Sequence, residues 1–259
     1  MGLSHSKYTY AITKSLDMDP LTVTTKATAP IEGQKPGTSG LRKKTKVFMG
    51  ENYLENFVQS VFDALVATGT KVAGGTLVIS GDGRYWNTNA IQTIIKMAAA
   101  AGVAKVWCGT GGLLSTPAMS AVIRARGKGF EPIGGFILSA SHNPGGIDED
   151  FGIKYNCENG GPAPEKLTNA IYKNTTTITS IKMCESCPDV DPSVLGETVI
   201  EARDGSRRVS VEVVDGVAAH VDLLRTVFDL GAIKALLDRP DFSICFDAMH
   251  GVTGPYAKA

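Results

Sequence analysis

The order of apolar segments along the chain limits the fold more than any other feature. Short apolar runs typical of strands alternate with segments whose apolar residues recur at helical spacing. The strand-type runs are Thr22–Ala27, Thr76–Ser80, Lys105–Cys108, Gly135–Ala140, Ile153–Asn156 and Phe242–Ala248. The helix-type segments are Asn52–Thr68, Asn87–Ala101, Thr116–Arg126, Pro164–Asn174 and Val217–Leu230. This alternation predicts an α/β fold with a mixed, mostly parallel sheet that is flanked by helices.

The segments between these elements suggest how the chain is divided. Residues 1–20 are polar and predict a flexible N-terminal extension, residues 21–209 a first α/β domain, and residues 210–259 the start of a second, truncated one. Asp204-Gly205 predicts a β-hairpin turn. Three stretches read as loops or surface: Pro30–Lys46, Gly109–Leu114 and 175–197. The last strand-type run, Phe242–Ala248, would have no partner and would favour aggregation.

Composition excludes several classes of protein. The 26 basic and 26 acidic residues give a net charge of zero, which argues against a nucleic-acid binder that relies on a positive field. With 43% apolar and 20% charged residues, general disorder is not expected. An apolar run of the roughly 20 residues that span a bilayer is missing from the sequence. The odd number of cysteines, 5, predicts a reducing compartment, the cytoplasm.

The segment Ser139–Gly146 (SASHNPGG) has the best-placed chemistry in the sequence. The Ser141 hydroxyl follows an apolar strand at its carboxyl end, where open α/β sheets bind ligands. His142 adds a titratable neighbour, Asn143 begins a turn, and Gly145-Gly146 allows close approach of an anion. Such a loop suits a serine that carries a phosphoryl group, although an ordinary polar turn remains an alternative.

A second segment, Lys35–Lys44, alternates glycines, hydroxyls and cations. Arg42 could bind a phosphate with two N–H groups, while Thr38 and Ser39 donate hydrogen bonds. The alternative is a solvated basic loop. The spacing of a P-loop is absent.

Other motifs are weaker. Cys184-x-x-Cys187 lacks a second ligand pair and predicts plain loop cysteines rather than a zinc or redox site. Gly109-x-Gly111-Gly112 fails the dinucleotide fingerprint. Gly81–Arg84 reads as a turn without a metal role, because its one carboxylate cannot hold Mg²⁺. The acidic run Asp148–Asp150 is expected to be solvated, or else to adjust the charge near Ser141.

The N-terminus fits the N-myristoylation pattern, with Gly2 exposed after removal of Met1 and Ser6 in place. The alternative is an ordinary soluble N-terminus. One acyl chain anchors only weakly, so at most a partial association with membranes is expected through Gly2.

Six segments, taken together, resemble the phosphoglucomutase family of the α-D-phosphohexomutases. They occur in the family's order, and they are Gln34–Arg42, Leu113–Ala118, Ser139–Gly146, Phe151–Asn156, Asn159–Pro164 and Asp247–Tyr256. The N-terminal extension and an insertion near Gly127–Phe130 resemble a parafusin-like branch. The resemblance implies the interconversion of glucose 1-phosphate and glucose 6-phosphate through glucose 1,6-bisphosphate, with Mg²⁺ as cofactor.

The resemblance also implies roles for single residues. Ser141 matches the serine that is phosphorylated and that binds Mg²⁺ through its phosphate. His142 matches the histidine beside it, Lys154 the lysine near the transferred phosphoryl group, and Arg42 a ligand-contacting arginine, with Thr38, Ser39 and Asn143 nearby.

One departure from the family pattern bears on activity. The family's magnesium loop, Asp-Gly-Asp-Gly-Asp-Arg, does not occur in these 259 residues, nor do the loops that recognise the sugar and the distal phosphate. We therefore expect the truncated chain to have little or no mutase activity. The alternative is a non-enzymatic, phosphorylatable interaction or membrane-associated protein derived from the family.

Overall fold

The computed structural model of the protein describes residues 18–37, 39–124 and 132–259. The strands in these ranges are β1 (Thr24–Ala27), β2 (Leu41–Lys44), β3 (Thr76–Gly81), β4 (Lys105–Leu113), β5 (Pro132–Leu138), β6 (Asp150–Cys157), β7 (Ser180–Met183), β8 (Gly196–Glu201) and β9 (Arg208–Val214). The helices are α1 (Thr45–Phe48), α2 (Tyr53–Ala67), α3 (Asn87–Ala100), α4 (Thr116–Arg124), α5 (Glu165–Thr175), α6 (Gly216–Val227), α7 (Leu230–Leu237) and α8 (Gly254–Lys258).

A seven-stranded sheet in the order β2-β6-β5-β3-β4-β9-β8 forms the centre of the fold. The four central strands β5, β3, β4 and β9 are parallel to one another. The outer pairs β2–β6, β6–β5 and β8–β9 are antiparallel. The predicted α/β fold with a mixed sheet is confirmed, and the parallel part is the central part.

Helices cover both faces of this sheet. Helices α2, α3 and α5 pack on one face in the larger core. There, helix side chains such as Phe57 and Ile91 lie in one cluster with Phe136 of β5. Helix α4 packs against Val78 and Ile137 on the opposite face, where Ala219 of α6 joins it. Burying one such side chain stabilises the fold by about 1.5–3 kcal/mol. This burial fixes the sheet edge on which the candidate site is built.

Two predicted loops are wrong in part, because each contains a strand. The predicted loop Pro30–Lys46 contains β2 and the start of α1. Leu41 of β2 is buried, and the strand pairs with β6 residue by residue. The Gly109–Leu114 loop is the continuation of β4, in which Gly109 lies opposite Val214. In both places a neighbouring strand supplies hydrogen bonds that local composition does not reveal.

The predicted surface stretch 175–197 is also wrong in part. It contains β7, which pairs antiparallel with β1 in a separate two-stranded sheet. Cys184 and Cys187 lie in the loop that follows β7, as predicted, and both are free thiols. Their side chains are nevertheless buried in the larger core, which the prediction of a surface stretch did not anticipate. Burial raises the pKa of the Cys187 thiol to about 12.

The C-terminal part differs most from its prediction. Strand β9 runs across the predicted boundary at residue 210 and belongs to the central sheet. The predicted hairpin of β8 and β9 is confirmed. Within the described ranges, Phe242–Ala248 forms no strand, and Ile244 and Phe246 are 70% and 58% exposed. None of the described helices is long and apolar enough to cross a membrane.

Candidate phosphoryl-transfer site

The segment 139–149 connects β5 to β6 at the carboxyl edge of the parallel strands; we call it the serine loop. Ser141 is exposed in this loop and has a φ of +60°, which is unusual for a residue with a side chain. Its Oγ lies 3.3 Å from Nδ1 of His142, which is exposed as well. The hydroxyl is therefore open to a ligand and next to a group that can move a proton.

The backbone N–H and the backbone carbonyl of Ser141 both form hydrogen bonds with neighbouring side chains. Its N–H donates to Oγ of Ser139 at 3.0 Å, and that hydroxyl donates to Asp82 at 2.8 Å. Its carbonyl accepts from the Arg84 guanidinium at 3.2 Å. Asp82 and Arg84 follow β3, the strand beside β5. The sequence indicated only a turn there and missed these two residues; their place after a strand end was the available signal.

Arg42 lies on β2, two strands away from β5. It pairs with Gly152 of β6, and the Gly152 carbonyl accepts from the N–H of Ser139 at 2.9 Å. A Cβ at Gly152 would lie 3.3 Å from Cγ of Arg42. The Arg42 side chain therefore packs close to the backbone of β6, where a larger residue than glycine would crowd it. The Nε of Arg42 is buried without a hydrogen-bond partner among the described residues. An anion at this edge would satisfy that donor.

Lys154 lies on β6, two residues from Gly152 and on the same face of the sheet. Burial, and secondarily the charge of Arg42, lower the pKa of the Lys154 ammonium. The positive charges of Arg42 and Lys154 repel each other on one face of the sheet, and both side chains are partly buried. Such a pair of cations is typical of a site for an anionic ligand. The structure thus brings together Ser141, His142, Arg42 and Lys154 on adjoining parts of one sheet edge.

The glycine-rich turn before β2 packs directly on Lys154. Gly37 and Gly40 exchange backbone hydrogen bonds of 3.0 Å, and Ser39 is exposed between them. Gly40 has a φ of +90°, and a Cβ there would meet Cβ of Lys154 at 2.6 Å. Of the predicted site residues, Thr38 and Gly2 lie outside the described residues.

The acidic run is paired rather than free. Asp150 accepts from Nδ2 of Asn143 at 2.7 Å and lies 3.0 Å from Nζ of Lys44. These hydrogen bonds, that of Lys44 first, lower the pKa of the Asp150 carboxyl. Asp148 and Glu149 form ion pairs with Lys46 and Lys44. Asn143 is therefore engaged inside the loop by Asp150.

The described residues do not form a magnesium site by themselves. They contain no group of three or more His, Cys, Asp and Glu side chains that could hold a metal ion. Asp82 is engaged by Arg84 and Ser139, and Asp150 by Lys44 and Asn143. Mg²⁺ needs several oxygen ligands, of which a phosphate on Ser141 could supply only part.

Residues 33–182 match a protein family described as phosphoglucomutase/phosphomannomutase, alpha/beta/alpha domain I. The chain is 57% identical over 237 residues to a probable cytoplasmic phosphoglucomutase of Arabidopsis thaliana, covering 91% of the chain and 40% of that protein. It is 60% identical over 233 residues to a cytoplasmic phosphoglucomutase of Mesembryanthemum crystallinum, covering 89% of the chain and 39% of that protein. The chain thus spans about two fifths of the length of these relatives.

Solved structures show the same similarity. The open form of pp63/parafusin, an exocytosis-sensitive phosphoprotein and phosphoglucomutase from Paramecium, superposes with a TM-score of 0.85 at 44% identity. The match covers 91% of the present chain and 42% of that protein. A putative phosphomannomutase from Thermus thermophilus, at 22% identity and a TM-score of 0.52, with 82% and 39% coverage, shares the fold.

Proposed function

The chain belongs to the phosphoglucomutase/phosphomannomutase family, and we propose that Ser141 is its phosphoryl carrier in the interconversion of glucose 1-phosphate and glucose 6-phosphate. The observation that carries this proposal is the placement of Ser141. Its hydroxyl is exposed at the carboxyl edge of the sheet, and Arg42 and Lys154 occupy the same edge. A serine that cycles through a phosphate needs solvent access and nearby cations, and this one has both.

The proposed reaction consists of two transfers. Phosphorylated Ser141 gives its phosphoryl group to a free hydroxyl of the hexose phosphate; the Oγ–P bond breaks and a sugar O–P bond forms. The proton of the sugar hydroxyl passes to Oγ, with His142 or water as the carrier. The resulting glucose 1,6-bisphosphate then returns its other phosphoryl group to Ser141, which leaves the isomeric monophosphate.

Each neighbouring group has a proposed part in this transfer. Arg42 and Lys154 would neutralise the charge of the phosphoryl oxygens, which is most of what phosphoryl transfer requires of a protein. Ser39 and Thr38 would donate hydrogen bonds to a phosphate from the turn before β2. His142, 3.3 Å from the Ser141 hydroxyl, would exchange the proton. Asn143 would act on the loop shape through its bond to Asp150 rather than on the ligand.

Mg²⁺ is proposed as the cofactor of the complete site, where it would act as a Lewis acid on the phosphoserine oxygens. Since the described residues supply too few ligands, we propose that the 259 residues on their own have weak mutase activity. A coupled assay with glucose 1-phosphate measures this. Strong turnover that disappears in Ser141→Ala would contradict it.

The division of the chain and its location are also proposals. Because β9 belongs to the central sheet, we place the end of the first α/β domain after Val214 rather than at residue 209. The cytoplasmic names of the relatives support a cytoplasmic location. A weak association with membranes through Gly2 is tested by labelling with a myristate analogue, which Gly2→Ala should abolish.

The phosphoryl-carrier role has a direct test. The chain is incubated with glucose 1,6-bisphosphate, and the site of phosphorylation is located by mass spectrometry. We expect phosphate on Ser141, loss of it in Ser141→Ala, and no change in Ser206→Ala, a substitution at an exposed hairpin serine. Phosphate on other serines but not on Ser141 would refute the proposed function.

A further inference from the structure

Asp82 and Arg84 form a buried ion pair directly beneath the serine loop. Their side chains are 16% and 6% exposed, and Nη2 of Arg84 lies 2.8 Å from a carboxylate oxygen of Asp82. The family comparison places no role on these residues, and the sequence assigned them only to a turn. A buried charged pair is costly unless its remaining hydrogen bonds are also satisfied. The contacts of Arg84 show where those bonds go.

All five N–H groups of Arg84 are used inside the protein. Nε donates to Asp82 at 2.9 Å, and Nη2 donates to Asp82 and to the Ser141 carbonyl. Nη1 donates to the carbonyls of Asn143 and Asp150, at 3.4 and 2.6 Å. No donor remains for a phosphate. Arg84 therefore differs from Arg42, whose Nε is buried without a partner among the described residues.

These bonds fix the conformation of Ser141. Its carbonyl is held by Arg84, and its N–H is held through Ser139, which itself donates to Asp82. Both backbone groups of Ser141 thus depend on the one carboxylate of Asp82. A φ of +60° is unfavourable for a serine and persists only where its surroundings enforce it.

We infer that Arg84 and Asp82 are positioning residues, which hold the serine loop so that Oγ of Ser141 is presented for phosphoryl transfer. The inference rests on the proposed function, because it names how the phosphoryl carrier is aimed. Arg84 contacts no reacting atom in this arrangement. Its loss should slow transfer without weakening the binding of the sugar phosphate, because the phosphate-binding cations are elsewhere.

The test uses the full chain and Arg84→Lys, which keeps the charge but loses the five-donor geometry. The rate of Ser141 phosphorylation is measured against the concentration of glucose 1,6-bisphosphate. We expect the maximal rate to fall by about 10–100-fold, the effect of a small misplacement, with the half-saturating concentration unchanged. Arg239→Lys, at an exposed arginine that also pairs with an aspartate, is the matched control and should leave both values unchanged.

Hydrogen exchange gives a second readout that does not need activity. We expect the amides of Ser141, Asn143 and Asp150 to exchange at least about 10-fold faster in Arg84→Lys, while amides of the core strands keep their protection. An unchanged rate or unchanged exchange would overturn the inference. A raised half-saturating concentration with an unchanged maximal rate would also overturn it, since Arg84 would then be a phosphate ligand.

A pair of variants at Ser139 decides the matter if Arg84→Lys does not fold. Ser139→Ala removes the hydroxyl between Asp82 and the Ser141 N–H, while Ser139→Thr keeps it. Slow phosphorylation in the first variant and rescue in the second support the inference; equal rates in both contradict it. If the wild-type chain takes up no phosphate on Ser141, the proposed function fails, and exchange of the Ser141 amide in the Ser139 pair still decides the positioning role.

Discussion

At the scale of single residues, Lys154 combines a positive charge with partial burial. Because burial and Arg42 lower its pKa, Lys154 loses its proton at a lower pH than an exposed lysine does. The cation is therefore present below the lowered pKa and disappears as the pH rises through it. Any step that depends on this charge should weaken in the same direction.

This lysine gives a prediction about pH. Phosphorylation of Ser141 by glucose 1,6-bisphosphate should decline toward alkaline pH in the wild-type chain. In Lys154→Arg the alkaline decline should shift to higher pH, because a guanidinium keeps its charge. The measurement is the initial rate of phosphorylation across a pH series, with Lys173→Arg on the exposed side of α5 as control. The same alkaline decline in wild type and Lys154→Arg would exclude Lys154 as its cause.

In the glycine-rich turn before β2, Gly40 leaves less room for a side chain than Gly37 does. Gly40→Ala adds a Cβ against Ile153 and Lys154 at a φ of +90°, so we expect it to lower the free energy of unfolding by about 2–4 kcal/mol. Gly205→Ala is the control: its φ is +70° but nothing lies within 4 Å, so only the backbone cost of about 1 kcal/mol should remain. Urea unfolding measures both, and equal losses would show that the close approach at Gly40 is unimportant.

At the scale of elements, the loop after β7 buries two cysteines that the sequence placed in a surface stretch. Cys184 and Cys187 follow β7 and are buried, and burial raises the pKa of the Cys184 thiol. Cys108 on β4 is equally buried, with a pKa raised to about 12. Cys245, by contrast, is exposed.

These differences predict a labelling pattern. In the folded chain a maleimide should modify Cys245 rapidly, whereas Cys108, Cys184 and Cys187 should react only after unfolding, because a thiolate must form and be reached. Peptide mass spectrometry after timed labelling identifies the modified cysteines. Cys245→Ser should remove the rapid phase. Rapid labelling of Cys184 in the native state would show that its side chain is accessible rather than buried.

At the scale of the whole molecule, the C-terminal part of the chain exposes many large apolar side chains. They are Val227, Phe228, Leu230, Ile233, Leu236, Leu237, Phe242, Ile244, Phe246 and Met249. The predicted cause of aggregation, an unpaired strand at Phe242–Ala248, is not present in this described segment. An exposed apolar face of this kind promotes association by itself.

We therefore expect the 259-residue chain to self-associate. Sedimentation velocity should show a weight-average mass that rises with concentration, and the double substitution Ile244→Ser with Phe246→Ser should reduce it. The matched control is Val66→Ser with Val194→Ser, which replaces two exposed valines outside this region. A chain that remains monomeric at high concentration would contradict this expectation.

Some of this protein followed from the sequence because the responsible signals are local. Apolar periodicity predicts the helices, and the motif that begins at Ser139 predicts an exposed hydroxyl at the end of a strand. The basic segment Lys35–Lys44 indicated Arg42, and the resemblance added Lys154. The sequence could not show that Asp82 and Arg84 form hydrogen bonds with the serine loop.

Tertiary structure alone decided the strand β2, the burial of the cysteines and the hydrogen bonds of Asp82 and Arg84 to the serine loop. The carbonyls that Arg84 binds belong to residues 57, 59 and 66 positions away along the chain. Likewise, β2 forms because β6 lies beside it, and Phe242–Ala248 forms no strand although it is more apolar. Local composition sets what a segment can become, whereas hydrogen bonding and burial by distant partners select which of these forms is stable.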